Sequence, residues 1–365
     1  MKILFVAGTF DDEGGKKSGL MEKLYEDIEE KSEITFINGG FYNCLSKIIE
    51  TSVNYDAVFW MANVSNDKEK IRNVKSINPK VMLVNSKRND NEKYTMQELI
   101  NKALEQKANL TIEFSKIDDK FRTRLFDPLG NVWYEGFDVK GLCDVLENRL
   151  LFLKSVTRQS TEKSEISYTN DLKLYTKEEL EFIELVKNYA DVFKEVIKPA
   201  KEVKRFLGNA SIRPKDNFRC IKGFPSFKRN DIIYVSRRNV DKEKISIEDF
   251  VPVYFENEDI KYIGDNKPSV DTPIQIRLYK YLPNINFMIH SHCYIENAPF
   301  TKINIPCGGL EEVDEVINTL KENYGNLNED FYAVNLIGHG NIIMAKNVEF
   351  LKNLKFFGRP IPEKH

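Results

Sequence analysis

The chain has 365 residues, 41% hydrophobic and 30% charged, with 54 basic against 56 acidic side chains. That composition suits a soluble globular protein of two domains rather than one. A net charge of −2 gives no general pull toward nucleic acid or an anionic membrane, and no apolar run reaches the roughly 18 residues that signal a membrane span. The opening MKILFVAG is too short for a signal peptide and is soon followed by Asp11, Asp12 and Glu13. The five cysteines, Cys44, Cys143, Cys220, Cys293 and Cys307, are scattered and lack CxxC spacing. An odd, unpatterned set favours reduced thiols and a cytoplasmic setting.

Residues 1–155 alternate strand and helix. KILFVAG reads as a buried strand, and Ser18 stands where it would cap a helix running to Ile28. EITFIN is a second strand, Asn43–Thr51 a helix, and DAVFWMA, KVMLVN and NLTIEFS the third to fifth strands. Met96–Gln106 carries the clearest helical period. This rhythm predicts an α/β domain with a doubly wound parallel sheet, Rossmann-like, whose ligands would bind beyond the carboxyl ends of the strands. The loop GTFDDEGGKKSG lies at that edge. It is no Walker A motif, because Phe10 replaces the first Gly and Lys17 stands where Ser or Thr belongs. A dinucleotide fingerprint is also missing, so a polar surface loop and a ligand lid both stay open. RTRLFDPLGNVWYEG reads as a hairpin turning at Pro128–Asn131, and Asp138–Lys154 as a closing helix.

Residues 156–174 are polar and read as a linker. Thr176 opens a capping-box pattern ahead of a long helical run toward Phe206. Residues 175–365 then form the second domain, with strands at CIKGF, DIIYVS, FVPVYFEN, NINFMIHSHCYI, TKINIP and FYAVNLIGHGNIIMA. Helices fit Thr272–Tyr281, Glu311–Asn323 and Val348–Phe356. Strands between peripheral helices suggest a layered α+β arrangement.

Histidine carries the strongest chemical signal. The chain has four, and three of them are His290, His292 and His339. On a strand, His290 and His292 share a face about 7 Å apart. His339 is flanked by Gly338 and Gly340, which allow close approach. Three imidazoles with an open fourth position are the ligand set of a catalytic zinc. The alternative is that each is a satisfied core histidine. Cys293 alternates to the other face and reads as core.

Several spaced motifs resemble class II aldolase/adducin-type domains over residues 175–360: GNASIR at Gly208–Arg213, KPSVDTPIQIRLYKYLP at Lys267–Pro283, IHSH, IPCGGLEE at Ile305–Glu312, and IGHG. The family holds zinc-dependent sugar-phosphate aldolases, an epimerase, a dehydratase, decarboxylases and the non-catalytic adducin heads. The resemblance implies an α/β/α domain with a mainly antiparallel central sheet. It implies a divalent metal, zinc by preference, on His290, His292 and His339. Asp271 falls where aldolases carry a catalytic Glu and the epimerase an Asp. Gly208, Asn209 and Ser269 match residues that bind the substrate phosphate, and Lys222 and Gly223 lie near a second phosphate loop. The family's tetramers, with active sites near subunit contacts, imply a homo-oligomer. Val270 departs from the pattern, since many members have a second Ser there. The first domain is not part of the ordinary single-domain enzyme.

Aldol cleavage or epimerisation needs a Lewis acid at a hydroxy-carbonyl and a group that moves protons. Asp271 fits the second role, and it equally fits a helix N-cap before Pro273. Arg213, Lys222, Arg237 and Arg238 could hold a larger anion, or form a solvated face. The expected function is therefore a zinc-dependent lyase or epimerase acting on a small phosphorylated hydroxy-carbonyl compound. The alternatives are an adducin-like interaction module and a ligand-sensing two-domain protein.

Overall fold

The computed structural model describes residues 1–29, 32–64, 74–167, 172, 176–195, 206–214, 220–221, 224–228 and 231–365. The chain divides into two compact units. One comprises Met1–Ser155 together with Ile361–His365, the other Val156–Pro360. Among the described residues no helix is long and apolar enough to cross a membrane.

The first unit runs β1 (Lys2–Asp11), α1 (Gly19–Glu29), β2 (Glu33–Phe41), α2 (Cys44–Thr51), β3 (Ala57–Val64), α3 (Val74–Ile77), β4 (Met82–Arg88), α4 (Met96–Gln106), β5 (Leu110–Ile117), β6 (Lys120–Phe126), β7 (Asn131–Gly136) and α5 (Val139–Ser155). Strands β2-β1-β3-β4-β5 are parallel in that order, and β6 and β7 extend the sheet antiparallel. This is the doubly wound order with its switch point between β1 and β3. Alternation on β1 explains the layering. Ile3, Phe5 and Ala7 join the core with α1 and α5, while Leu4, Val6 and Phe10 face α2 and α4. Thr95 and Glu98 close a capping box at α4. The loop after β1 is held in place: Thr9 N–H donates to Lys16 O at 2.7 Å and Gly15 N–H to Gly40 O at 3.0 Å.

The second unit runs β8 (Thr161–Lys163), α6 (Lys177–Asn188), α7 (Ala190–Glu195), β9 (Asn209–Ile212), β10 (Cys220–Ile221), β11 (Phe224–Lys228), β12 (Ile232–Ser236), β13 (Phe250–Glu256), β14 (Asp259–Tyr262), α8 (Thr272–Tyr281), β15 (Phe287–Ser291), β16 (Tyr294–Ile295), α9 (Glu311–Tyr324), β17 (Phe331–Leu336), β18 (Gly340–Ala345) and β19 (Phe356–Phe357). Its main sheet has the order β17-β18-β15-β9-β12-β13-β14-β8. Every neighbouring pair is antiparallel except β14 with β8. One face packs on α6 and α7, the other on α8 and α9. The result is the α/β/α sandwich that the second-domain resemblance implied.

Several local readings differ from the structure. Thr161–Lys163, read as linker, is an edge strand; three residues pairing through their backbone need no apolar pattern. The helix from Thr176 ends at Asn188 and a separate α7 follows; the run from 196 to 205 lies outside the described residues. Val348–Phe356 is helical only as a short turn at Val348–Leu351, because Asn353 takes a left-handed φ of 63°. Thr301–Pro306 forms no strand; Pro306 has no N–H to give a ladder, and the Asn304 side-chain amide donates to Ile337 O at 2.9 Å. The tail Ile361–His365 belongs with the first unit, where β20 (Glu363–Lys364) pairs parallel to β7 and the His365 ring stacks on Trp133.

Candidate metal centre

His290 sits in the middle of the second sheet, on β15 between β9 and β18. The strand stops at Ser291, so His292 lies just past its end rather than within it. His339 sits in the turn between β17 and β18. Gly340 explains how that turn comes so near: a Cβ there would lie 2.0 Å from Ser291 O. Asn341 ties the two segments together, donating to Ser291 Oγ at 2.8 Å and Cys293 O at 2.9 Å. Tyr294 Oη accepts from Gly338 N–H at 2.9 Å and holds the turn from the other side.

These constraints bring three imidazole nitrogens within 4.8 Å of one another. The residues are 3%, 4% and 1% exposed for His290, His292 and His339, so the cluster is buried. His290 Nδ1 donates to Asn341 O at 2.7 Å, which leaves its Nε2 buried without a partner. His292 Nδ1 is likewise buried and unpartnered. His339 Nδ1 donates to Glu312 Oε2 at 2.8 Å, and its Nε2 lies 3.2 Å from Cys307 Sγ. Burial costs an unpaired polar nitrogen about 1–3 kcal/mol, so such atoms call for an acceptor of their lone pairs. A divalent cation fits the set: nitrogen donors, one aligned by a backbone carbonyl and one by a carboxylate.

Electrostatics keep two of the three rings neutral. Burial pushes His290 down, aided by His339, and only partly offset by Asp271 and Glu312. Burial, His290 and His339 push His292 well below its ordinary value. His339 behaves oppositely. Burial opposes its charge, but Cys307 and Glu312 hold its pKa well above the ordinary 6.5.

Asp271 lies close enough to His290 for its charge to act on that ring. It occupies the N-cap position of α8, but its side chain makes no capping hydrogen bond. Instead Oδ2 accepts from Asn209 Nδ2 at 2.9 Å, and Oδ1 is buried without a partner. Asn209 also donates to Ser269 Oγ at 3.1 Å and accepts from Gln275 Nε2. Thus Asn209 and Ser269 are committed to orienting Asp271. Gly208 has φ +75°, and a Cβ there would lie 2.6 Å from His290 O; only Gly lets this loop back onto the centre. Lys242, 2% exposed, donates to Gly208 O at 2.7 Å and Leu207 O at 3.0 Å.

Arg213 requires correction as an anion-binding candidate. Its guanidinium donates to Tyr279 O at 2.7 Å and Leu282 O at 2.9 Å, and also to the carbonyls of Pro283 and Ile285. It therefore caps the carboxyl end of α8. Arg237 pairs with Asp249, and Arg238 donates to Pro268 O at 2.9 Å. Lys222 and Gly223 lie outside the described residues. Sequence reasoning gave no role to Glu312, Cys307, Asn341 or Lys242. For the first two the only hint was the stretch IPCGGLEE.

Residues 190–299 match the Class II Aldolase and Adducin N-terminal domain. The match includes Asn209, Asp271, His290 and His292 and stops short of Glu312 and His339. Among solved structures, the chain is similar to the DNA/pantothenate metabolism flavoprotein from Streptococcus pneumoniae, at 14% identity over 42% of this chain and 99% of that one, with a TM-score of 0.33. It is similar to L-fuculose 1-phosphate aldolase at 15% identity over 48% and 78%, with a TM-score of 0.32. It is also similar to the C-terminal domain of the coenzyme A biosynthesis bifunctional protein CoaBC at 16% identity over 42% and 95%, with a TM-score of 0.32.

Proposed function

We propose that this chain, whose second unit carries a class II aldolase/adducin-type domain, is a zinc-dependent lyase or epimerase acting on a small phosphorylated hydroxy-carbonyl compound. One observation supports the reading above the rest: His290 Nε2, His292 Nδ1 and Asp271 Oδ1 are all buried and unpartnered. An interaction module has no use for three such atoms, each of which costs stability. They are the expected cost of a site built to receive a cation and a substrate.

A divalent metal bound there would supply Lewis-acid polarisation of a carbonyl and its neighbouring hydroxyl. The chain's own residues do the rest. Glu312 fixes the His339 ring with Nδ1 protonated, so that Nε2 faces inward. The Asn341 carbonyl does the same for His290. Asp271 keeps Oδ1 without a hydrogen-bond partner while Asn209 holds Oδ2, and in this reading Oδ1 takes or returns a proton at the substrate carbon or hydroxyl. Gly208, Asn209 and Ser269 are the residues that would receive the substrate phosphate in this reading. Cys44, Cys143, Cys293 and Cys307 form no disulfide, which accords with a cytoplasmic setting. Assembly into a homo-oligomer, a tetramer by family pattern, belongs to the same proposal.

The test is turnover. Metal-loaded protein is incubated with a panel of ketose and aldose phosphates, and carbonyl release and new epimers are followed by NMR. The reading predicts turnover that chelation abolishes and zinc restores. Absence of both turnover and phosphate-ester binding across the panel would contradict it.

A further inference from the structure

Three cations of the second unit are spent on the protein itself. Arg213 holds carbonyls at the end of α8, and Lys242 holds those of Leu207 and Gly208. Arg237 pairs with Asp249. Arg238 differs. Its backbone N–H donates to Lys267 O at 3.0 Å and its Nε to Pro268 O at 2.9 Å. Among the described residues its two terminal nitrogens make no hydrogen bond and no ion pair, and the residue is exposed.

The local backbone accounts for the difference. Residues 236–238 run antiparallel beside 267–269: Ser269 N–H donates to Ser236 O at 3.2 Å, and Arg237 bridges Pro268. In an extended segment successive side chains take opposite sides. Arg237 turns to Asp249, and Arg238 turns to Pro268, in the segment that leads to Ser269 and Asp271. Asp271 lies near enough for its charge to act on the guanidinium. The other side chains there supply no positive charge. Asn209 and Ser269 are neutral and hydrogen-bonded to Asp271, and the side chain of Val270, 45% exposed, has no donor. An anion placed beside the Asp271 carboxylate is repelled unless a cation accompanies it.

We propose that Arg238 holds the substrate's anionic group and that this group is a phosphate monoester. This rests on the reading, given above, of a site for a phosphorylated substrate. A guanidinium presents its N–H groups in a planar fork that matches two phosphate oxygens. With Nε kept on Pro268 O, Nη1 and Nη2 remain for the ester. The cation offsets the repulsion that Asp271 imposes on the dianion. Arg238 is thereby a specificity residue. It selects phosphorylated over unphosphorylated hydroxy-carbonyl compounds and takes no part in proton transfer. Lysine, a point charge without the fork, holds such a group less well.

The experiment titrates the full, zinc-loaded chain with methyl phosphate, followed by phosphorus NMR, with Tm measured on every variant. Arg238→Gln is expected to weaken binding by about 10–100-fold, the range for hydrogen bonds from a charged donor. Arg238→Lys is expected to lose less. Arg237→Gln, which removes the same charge one residue away, is expected to bind as the wild type does. Equal affinity in the wild type and Arg238→Gln, whether or not Tm falls, would overturn the assignment and leave Arg238 a purely structural residue. Equal losses in Arg237→Gln and Arg238→Gln would overturn it too, since a diffuse field would then suffice. Either result leaves the phosphorylated substrate class standing. Failure of the wild type to bind methyl phosphate at all would overturn that class together with the role of Arg238.

Discussion

Glu312 Oε2 accepts a hydrogen bond from His339 Nδ1 at 2.8 Å, and both side chains are buried. The pair fixes which ring nitrogen is offered to the centre. Carboxylates in this position typically contribute 10–100-fold to metal affinity. Glu312→Ala is expected to weaken zinc binding by about that factor, with Glu312→Gln weakening it less because an amide oxygen still accepts the Nδ1 proton. Competition titration with a chromophoric chelator measures it. Unchanged affinity in Glu312→Ala would show that the carboxylate only fills space.

Asp271→Asn is expected to keep the fold and most of the metal, because neither the helix cap nor the three histidines depend on the carboxylate. Turnover is expected to fall by about two to four orders of magnitude, the usual share of a proton-transfer group. Metal content, Tm and rate measured on one preparation separate the roles. Full activity would remove Asp271 from the chemistry, and loss of metal would make it a ligand.

Arg213→Lys is expected to lower Tm without changing KM for any phosphorylated substrate. Lysine cannot span the carbonyls of Tyr279 and Leu282 that the planar guanidinium bonds. Each hydrogen bond from a charged donor contributes about 1.5–3 kcal/mol. A raised KM at unaltered Tm would restore Arg213 as a substrate residue.

Lys242 gives a pH signature. Burial pushes its pKa from 10.5 down to about 7, against the pull of Asp241 and Asp271. The unfolded chain keeps the ordinary value, so between pH 7 and 10.5 it binds the extra proton. Stability from this group therefore rises with pH across that window and is lost as pH falls through about 7. Lys242→Met is expected to flatten the difference. Urea midpoints of both proteins at pH 6.5, 7.5 and 8.5 check it, and parallel curves would contradict it.

The histidines were legible because they are scarce and because two of them are spaced as neighbours on one face of an apolar stretch, although the strand itself ends at Ser291. The βα rhythm of residues 1–155 was legible because β1, β3, β4 and β5 carry runs of buried apolar residues. The supports of the site were not. Glu312 and Cys307 stand 27 and 32 residues from His339, and Asn341 stands 51 from His290. No local period joins such pairs, and only the sheet register does. Arg213 misled for a similar reason: a cation near a Gly-Asn loop looks like an anion site until the carboxyl end of α8 is seen beneath it. Asp271 sits at a cap position, yet its side chain turns to Asn209, a choice set by a residue 62 positions away.

The central claim is that His290, His292 and His339 form one metal centre. Metal content by inductively coupled plasma mass spectrometry, on the wild type and on His290→Ala/His292→Ala after equilibration with zinc and gel filtration, tests it most directly. The account predicts about one zinc per wild-type chain, as one such cluster requires, and essentially none on the variant, with both proteins folded by circular dichroism. Equal zinc on the two proteins, or none on either, would contradict it.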